Sequence, residues 1–210
     1  MSEMTPRRQR KIEKRRQEIL SAAKQLFLSR SYLQVTVDEI ADAAAISKAT
    51  VYSHFDNKLE IYSAIILGDA EMLVDSLREA ADSSASLQDN LQAMSKAYVH
   101  FFSTHPEYFE KLSWFYFPGR ERHLSRAQIQ AVGEKLEAAR DVIATCLNEA
   151  IENGEIKKVD VRVAALTIYS QWLGLVYLTT AVGPARRKRT FDFDKAIEFA
   201  CSMQFQGLAK

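Results

Sequence analysis

Residues 36–58, TVDEIADAAAISKATVYSHFDNK, decide how this chain folds. They read as a short helix, a tight turn and a second short helix that carries small polar and aromatic side chains. Ile40 and Ala41 fall in the first helix, Ala44, Ala45 and Ile46 span the turn, and Val51 falls in the second. At that spacing two helices cross closely enough for one to be held out from the body of the protein. The helix-turn-helix uses this arrangement to place its second helix in the major groove of DNA. Ser47 is positioned to cap that second helix.

Two short helices bury too little apolar surface to stand alone, so neighbouring segments must complete the unit. A helix is expected over 13–29, with Ile19, Ala22, Ala23, Leu26 and Phe27 as its apolar stripe, and another over 57–81. Phe27, Ile40, Ile46, Val51, Tyr52 and Phe55 are the expected core of this small domain. Before it lies a basic arm, residues 1–16, with seven cations (Arg7, Arg8, Arg10, Lys11, Lys14, Arg15 and Arg16) against Glu3 and Glu13. The net charge of the whole chain is only +1, so its basic character is local. A cationic cluster beside a helix-turn-helix is the electrostatic footprint of phosphate contact, whereas alone it could equally be a solvated terminus.

The stretches ILSAAKQLF (19–27) and TVDEIADAAAISKATVYSHFDNKLEIY (36–62) resemble the N-terminal domain of the tetracycline-repressor (TetR) family of bacterial transcriptional regulators. The resemblance covers residues 15–62, under a third of the chain. It implies an all-α protein with a three-helix DNA-binding domain (13–60), a helical ligand-binding and dimerisation domain (61–210), and a homodimer that releases its operator when a ligand binds. It also implies DNA-contact roles at Thr36, Ser47, Lys48, Ala49, Thr50, Tyr52, His54 and Lys58. The chemistry of the residues agrees. Lys48, Thr50 and Ser53 carry short-range donors or acceptors for base edges, and Ala49 can meet a thymine methyl. Tyr52, His54, Lys58 and the helix start at Thr36 suit phosphate. Ser47 can serve as a cap, a DNA contact or both, and Tyr52 can also be read as core. Alanine stands at two positions where the family usually has glycine, Ala45 in the turn and Ala49 before Thr50.

The rest of the chain also reads as helix, because glycine and proline are scarce and no alternating β-branched run occurs. DSSASL (82–87) marks a change in character, and helices are expected over 87–104, up to Phe117, 125–153, 160–182 and 192–207. Residues 98–117, YVHFFSTHPEYFEKLSWFYF, are dense in aromatics. Phe102, His105, Trp114, Phe115, Tyr169 and Trp172 could line a pocket for a small apolar or aromatic effector, or pack as ordinary core. The 160–182 helix is apolar nearly all round and must be buried on more than one side. Its length and the following RRKR (186–189) raise a membrane span, but Ser170, Gln171 and the threonines interrupt it and it is the only such segment. A dimer interface with the last helix fits better, through Ala164, Ala165, Gly174, Leu175, Leu178, Ala181, Ile197, Ala200 and Phe205.

No HExxH, GxSxG or glycine-rich phosphate loop is present, and His54, His100, His105 and His123 form no ligand-like group. Neither enzymatic activity nor a metal or other cofactor is expected. Cys146 and Cys201 lack metal-ligand spacing and read as buried core. The N-terminus has no apolar signal region, so a cytoplasmic location is expected. The expected partners are a near-palindromic double-stranded operator, a second copy of the chain and a small effector. The alternative is a ligand-independent activator or a switch worked by another protein.

Overall fold

The structure, a computed structural model, describes residues 5–105, 108, 125–181 and 193–209, with backbone alone at 179–181 and 193–194. Eight helices are described: α1 (Pro6–Ser29), α2 (Val37–Ala43), α3 (Lys48–Tyr52), α4 (Lys58–Ala80), α5 (Leu87–Thr104), α6 (Arg126–Glu152), α7 (Val161–Ala181) and α8 (Phe193–Leu208). An isolated antiparallel bridge, Ile156 to Ala209, ties the loop after α6 to the end of α8. Of the aromatic stretch, Pro106, Glu107 and residues 109–124 lie outside the described residues. So do Gly183, Pro184 and the 186–189 cations.

Local chemistry sets the helix ends. Thr36 and Glu39 form a capping box at α2, and Ser125 and Gln128 form another at α6. Single side-chain caps start α3 at Ser47, α4 at Asn57 and α5 at Ser86. Asp160 Oδ1 accepts from the backbone N–H groups of Arg162 and Val163 to start α7. Helix α6 stops at Asn153, followed by Gly154 at φ 73°.

One boundary departs from the sequence reading. α1 begins at Pro6 rather than Glu13, behind an extended Thr5. Proline favours the first helical position, and arginine, glutamine and lysine propagate a helix well. With Ile12 the only large apolar residue between Pro6 and Arg16, these first turns have no apolar periodicity to betray them.

Helix α4 joins the two halves of the chain. It packs against α1 on one side and against α5 and α6 on the other, while α7 packs on α5 and α6, and α8 on α5 and α7. A continuous core follows it, from Ile19, Ile40, Val51 and Phe55 through Ile61, Ile66 and Leu73 to Leu91, Ile143 and Trp172. Phe27 is buried with the head residues, as expected. Ile46 is half-buried, and Tyr52 is 47% exposed and so not core.

The turn between α2 and α3 is left-handed, with Ala45 at φ 53°. A Cβ in that region costs about 1 kcal/mol relative to glycine. Ala45→Gly is therefore expected to raise the thermal midpoint by about 2–4 °C in a chain of this size. A lower midpoint in a melting experiment would contradict the strain.

Candidate nucleic-acid interface

Helix α3 is held from behind and left open in front. Val51, on its inner side, is buried with Ile40 and Phe55, whereas Ser47, Lys48, Ala49, Tyr52 and Ser53 are exposed and Thr50 and His54 are half-buried. Ser47 is a working cap: its Oγ accepts from the Thr50 N–H at 3.1 Å and lies 2.9 Å from Thr50 Oγ1. The Ser53 hydroxyl donates back to the Thr50 carbonyl at 2.7 Å. Lys48 Nζ donates to Asp38 Oδ2 at 2.9 Å, and that bond, together with the carboxylate's charge, raises the lysine pKa.

Arg16 pins the far end of α3. Its guanidinium lies 4.1 Å from the Phe55 ring centroid and donates to the His54 carbonyl at 3.1 Å. Stacking and a charge-assisted bond together fix where the helix stops. Nothing in a run of seven cations singled Arg16 out for this role.

The loop before α2 is clamped as well. Thr36 caps α2, and the Glu39 carboxylate accepts from the Thr36 N–H at 2.8 Å and from Arg30 at 2.7 Å. The Arg30 bond first, and then the Thr36 bonds, hold the Glu39 pKa down to about 2. A depressed carboxylate pKa contributes stability above the ordinary value and loses it as pH falls. The clamp is therefore complete at neutral pH and fails between about 4.5 and 2.

Lys58 sits differently from a free phosphate anchor. Its ammonium donates to the carbonyls of Tyr32 and Val35, both at 2.7 Å, and lies 4.3 Å from the Tyr32 ring centroid. Burial lowers its pKa, opposed by the charge of Glu39. Two of its three donors tie the α1–α2 connection to the start of α4, which leaves one for an outside acceptor.

In the other half, Phe102, Tyr169 and Trp172 come together around Tyr98. Their ring centroids lie 5.0, 5.4 and 5.9 Å from that of Tyr98, and all four residues are buried. His105 stacks on Tyr108 at 4.7 Å, on the other side of Phe101. Trp114 and Phe115 lie outside the described residues. The indole N–H of Trp172, 1% exposed, has no acceptor among the described residues. A separate open groove of about 460 Å³ runs between the end of α4 and α6, with a mixed lining of Arg78, Asp141 and Glu149 beside Ala81, Ala138 and Val142. Cys146 and Cys201 are buried free thiols, and burial raises both pKa values.

Helix α7 has two apolar faces. Ala165, Ile168, Tyr169, Trp172 and Val176 are buried inside the chain, while Val163, Leu166, Tyr177 and Leu178 are exposed on the other face. Helix α8 repeats the pattern, with Ile197, Ala200 and Cys201 inside and Phe199 and Met203 outside. Ala165, Ile197 and Ala200 are therefore part of the chain's own core, not of a surface open to a partner. Ala164, Gly174, Leu175 and Phe205 are half-buried, and the side chain of Ala181 lies outside the described residues. Val161–Leu178 is long and apolar enough to cross a membrane by composition, a test that core helices of soluble proteins also pass.

Residues 19–65 match the family model of bacterial regulatory proteins of the tetR family. The HTH-type transcriptional activator FasR of Mycolicibacterium smegmatis is 36% identical over 89 residues, which is 42% of this chain and 41% of that protein. This chain thus matches less than half the length of FasR. The HTH-type transcriptional repressor KstR2 of Mycobacterium tuberculosis is 27% identical over 143 residues, 68% of this chain and 70% of that one. The solved structure of FadR from Bacillus subtilis in complex with stearoyl-CoA has the same fold, with a TM-score of 0.71 and 20% identity over 91% of this chain and 98% of that chain. A helix-turn-helix head joined to a body that is helical over the described residues is the architecture these transcriptional regulators share. Residues 19–65 thus carry the DNA-binding domain of the tetR family, and the regulators the chain is similar to include both an activator and a repressor.

Proposed function

We propose that the protein is a homodimeric repressor that reads a near-palindromic operator through α3 and releases it when an apolar or aromatic small molecule binds the helical half. The observation that carries this reading is the outward face of α3, a row of short polar side chains fixed from behind by Val51 and at one end by Arg16. Lys48, Thr50 and Ser53 face the base edges, with Ala49 in apolar contact. Thr36, Ser47, Tyr52, His54 and the remaining donor of Lys58 meet phosphates. The residues that read DNA lie within 13–60, and the remainder, 61–210, takes the ligand and the second copy.

The exposed faces of α7 and α8 supply the dimer interface. One short helix contacts few base pairs, whereas two heads about 34–36 Å apart read successive turns of the duplex. Effector binding is supported by the buried Trp172 N–H, which meets no acceptor among the described residues; an unmet buried donor costs about 1–3 kcal/mol and a ligand carbonyl would relieve it. A long acyl chain, the kind of ligand the FadR structure holds, suits this aromatic interior and gives a first probe. Among the relatives FasR is an activator and KstR2 a repressor. As a regulator of chromosomal DNA the protein works in the cytoplasm.

Gel-shift binding to the DNA upstream of its own gene, repeated with stearoyl-CoA and with small aromatic compounds, tests the reading. Operator binding that one of these releases is the expected result. An effector that binds while operator affinity stays constant would contradict ligand control. Lys48→Ala is expected to reduce discrimination between operator and scrambled DNA by about 1–3 kcal/mol. Uniform weakening on both duplexes would reassign Lys48 to phosphate.

A further inference from the structure

Helices α1 and α4 run side by side in the same direction, as two contacts show: Arg16 to Glu60 at 3.9 Å and Lys24 to Asp69 at 3.1 Å. Residues of α1 thus lie level with residues of α4 about 44 positions further on. The first residue of α4, Lys58, is level with the region of Lys14, so α1 continues for roughly two turns, about 12 Å, past the base of α4. This projection leaves the domain at the end where Arg16 holds α3, away from the helical half. Residues 5–14 are all exposed.

The projection is strongly basic. Arg7, Arg8, Arg10, Lys11, Lys14 and Arg15 stand against Glu13 alone. At 100° per residue all six cations lie about 80° or more round the helix from Arg16, which faces the domain, while Gln9, Ile12 and Glu13 continue the Arg16 side. Arg15 pairs with Glu18, and none of Arg7, Arg8, Arg10, Lys11 and Lys14 has an ion-pair partner among the described residues. Electrostatically the arrangement opposes itself. Arg7 with Lys11 and Arg10 with Lys14 are like charges one turn apart, and cations at a helix N-terminus oppose the helix dipole. A polyanion laid against this face relieves both penalties.

We propose that residues 6–15 form a rigid helical prong that lies along the DNA backbone beyond the half-site read by α3, adding phosphate contacts that carry no sequence information. The inference rests on the operator reading above and extends it to the flanks of the site. The prong widens each half-site and supplies salt-dependent affinity independent of α3.

The test compares the wild type with the variant Arg7→Gln/Arg10→Gln/Lys11→Gln/Lys14→Gln on a duplex selected from a random pool by the wild type. Affinity is followed by anisotropy across a salt series, on duplexes with and without flanking base pairs. The variant is expected to lower the slope of log K against log salt by roughly 0.9 for each phosphate lost, up to about 4 per protomer. Its ratio of selected to scrambled affinity should stay within about twofold, and trimming the flanks should bring the wild type down to the variant's affinity. A variant with the wild-type slope on the flanked duplex, while the wild type still discriminates sequences, overturns the prong and leaves the operator reading standing. A wild type that selects no sequence overturns both. All four positions are exposed, so a melting midpoint at or above that of the wild type will show that the variant is folded.

Discussion

Lys24→Met lowers the stability of the protein by about 3 kcal/mol, a drop of about 6–12 °C in thermal midpoint for a chain of this size. Lys24 of α1 pairs at 3.1 Å with Asp69 of α4, whose side chain is only 3% exposed. The ammonium also lies 4.5 Å from the ring centroid of Tyr108, a buried residue just past α5. Removing the lysine leaves a carboxylate inside the protein with its charge uncompensated, the more damaging way to break a buried pair. Asp69→Asn is expected to cost less, about 1 kcal/mol, because the amide still meets Tyr108 and the partly exposed lysine can turn to water. Lys24→Met/Asp69→Leu should recover most of the loss, since the two sites are directly coupled. Burial lowers the Lys24 pKa, but the bonds to Tyr108 and Asp69 outweigh it and raise the value. A raised lysine pKa contributes stability below its unfolded value and loses it only as pH rises through the folded one. The three melting curves should therefore keep their order at any pH from neutral to mildly alkaline. A larger loss for Asp69→Asn than for Lys24→Met would contradict this assignment. The cluster joins α1 of the head, the long α4 and the aromatic corner just past α5.

Leu178→Glu combined with Phe199→Glu separates the protomers and weakens operator binding by about 100-fold or more. These residues are 56% and 67% exposed, so their replacement removes little of the chain's own core. A second copy would cover them, and a glutamate on each protomer would bring like charges into the centre of a symmetric interface. The effect on DNA follows from linkage: two heads held together gain about 10²–10⁴ over one. Sedimentation should show a monomer at micromolar concentration, with a thermal midpoint close to that of the dilute wild type. A variant that stays dimeric would place the interface elsewhere.

Much of this architecture can be read from the chain because the relevant signals are local. Thr36, Ser47, Asn57, Ser86 and Asp160 each sit where a helix starts, and the helix spans follow the apolar spacing to within one or two residues over most of the chain. The first two turns of α1 do not show themselves, because a segment with Ile12 as its one large apolar residue has no periodicity to detect. The inward side of α7 is hidden for the opposite reason. Both its faces are apolar, so spacing cannot tell that Ala165 points in while Val163 and Leu166 point out. In the candidate interface, the exposed row on α3 follows from residue type. The roles of Arg16 and Lys58 depend on carbonyls 38, 26 and 23 residues away in sequence, contacts that no local pattern encodes. Whether an aromatic residue lines a pocket or fills a core is equally non-local, and Phe102, Tyr169 and Trp172 satisfy the same spacing either way.

The central claim, that two copies of α3 read one near-palindromic site, is tested most directly by hydroxyl-radical footprinting on a duplex selected from a random pool, with the stoichiometry measured on the same complex. Two protomers per duplex and two protected windows one helical turn apart, related by the dyad of the selected sequence, are the predicted result. A single protected window with one protomer bound, or protection that falls with salt but favours no sequence, would contradict it.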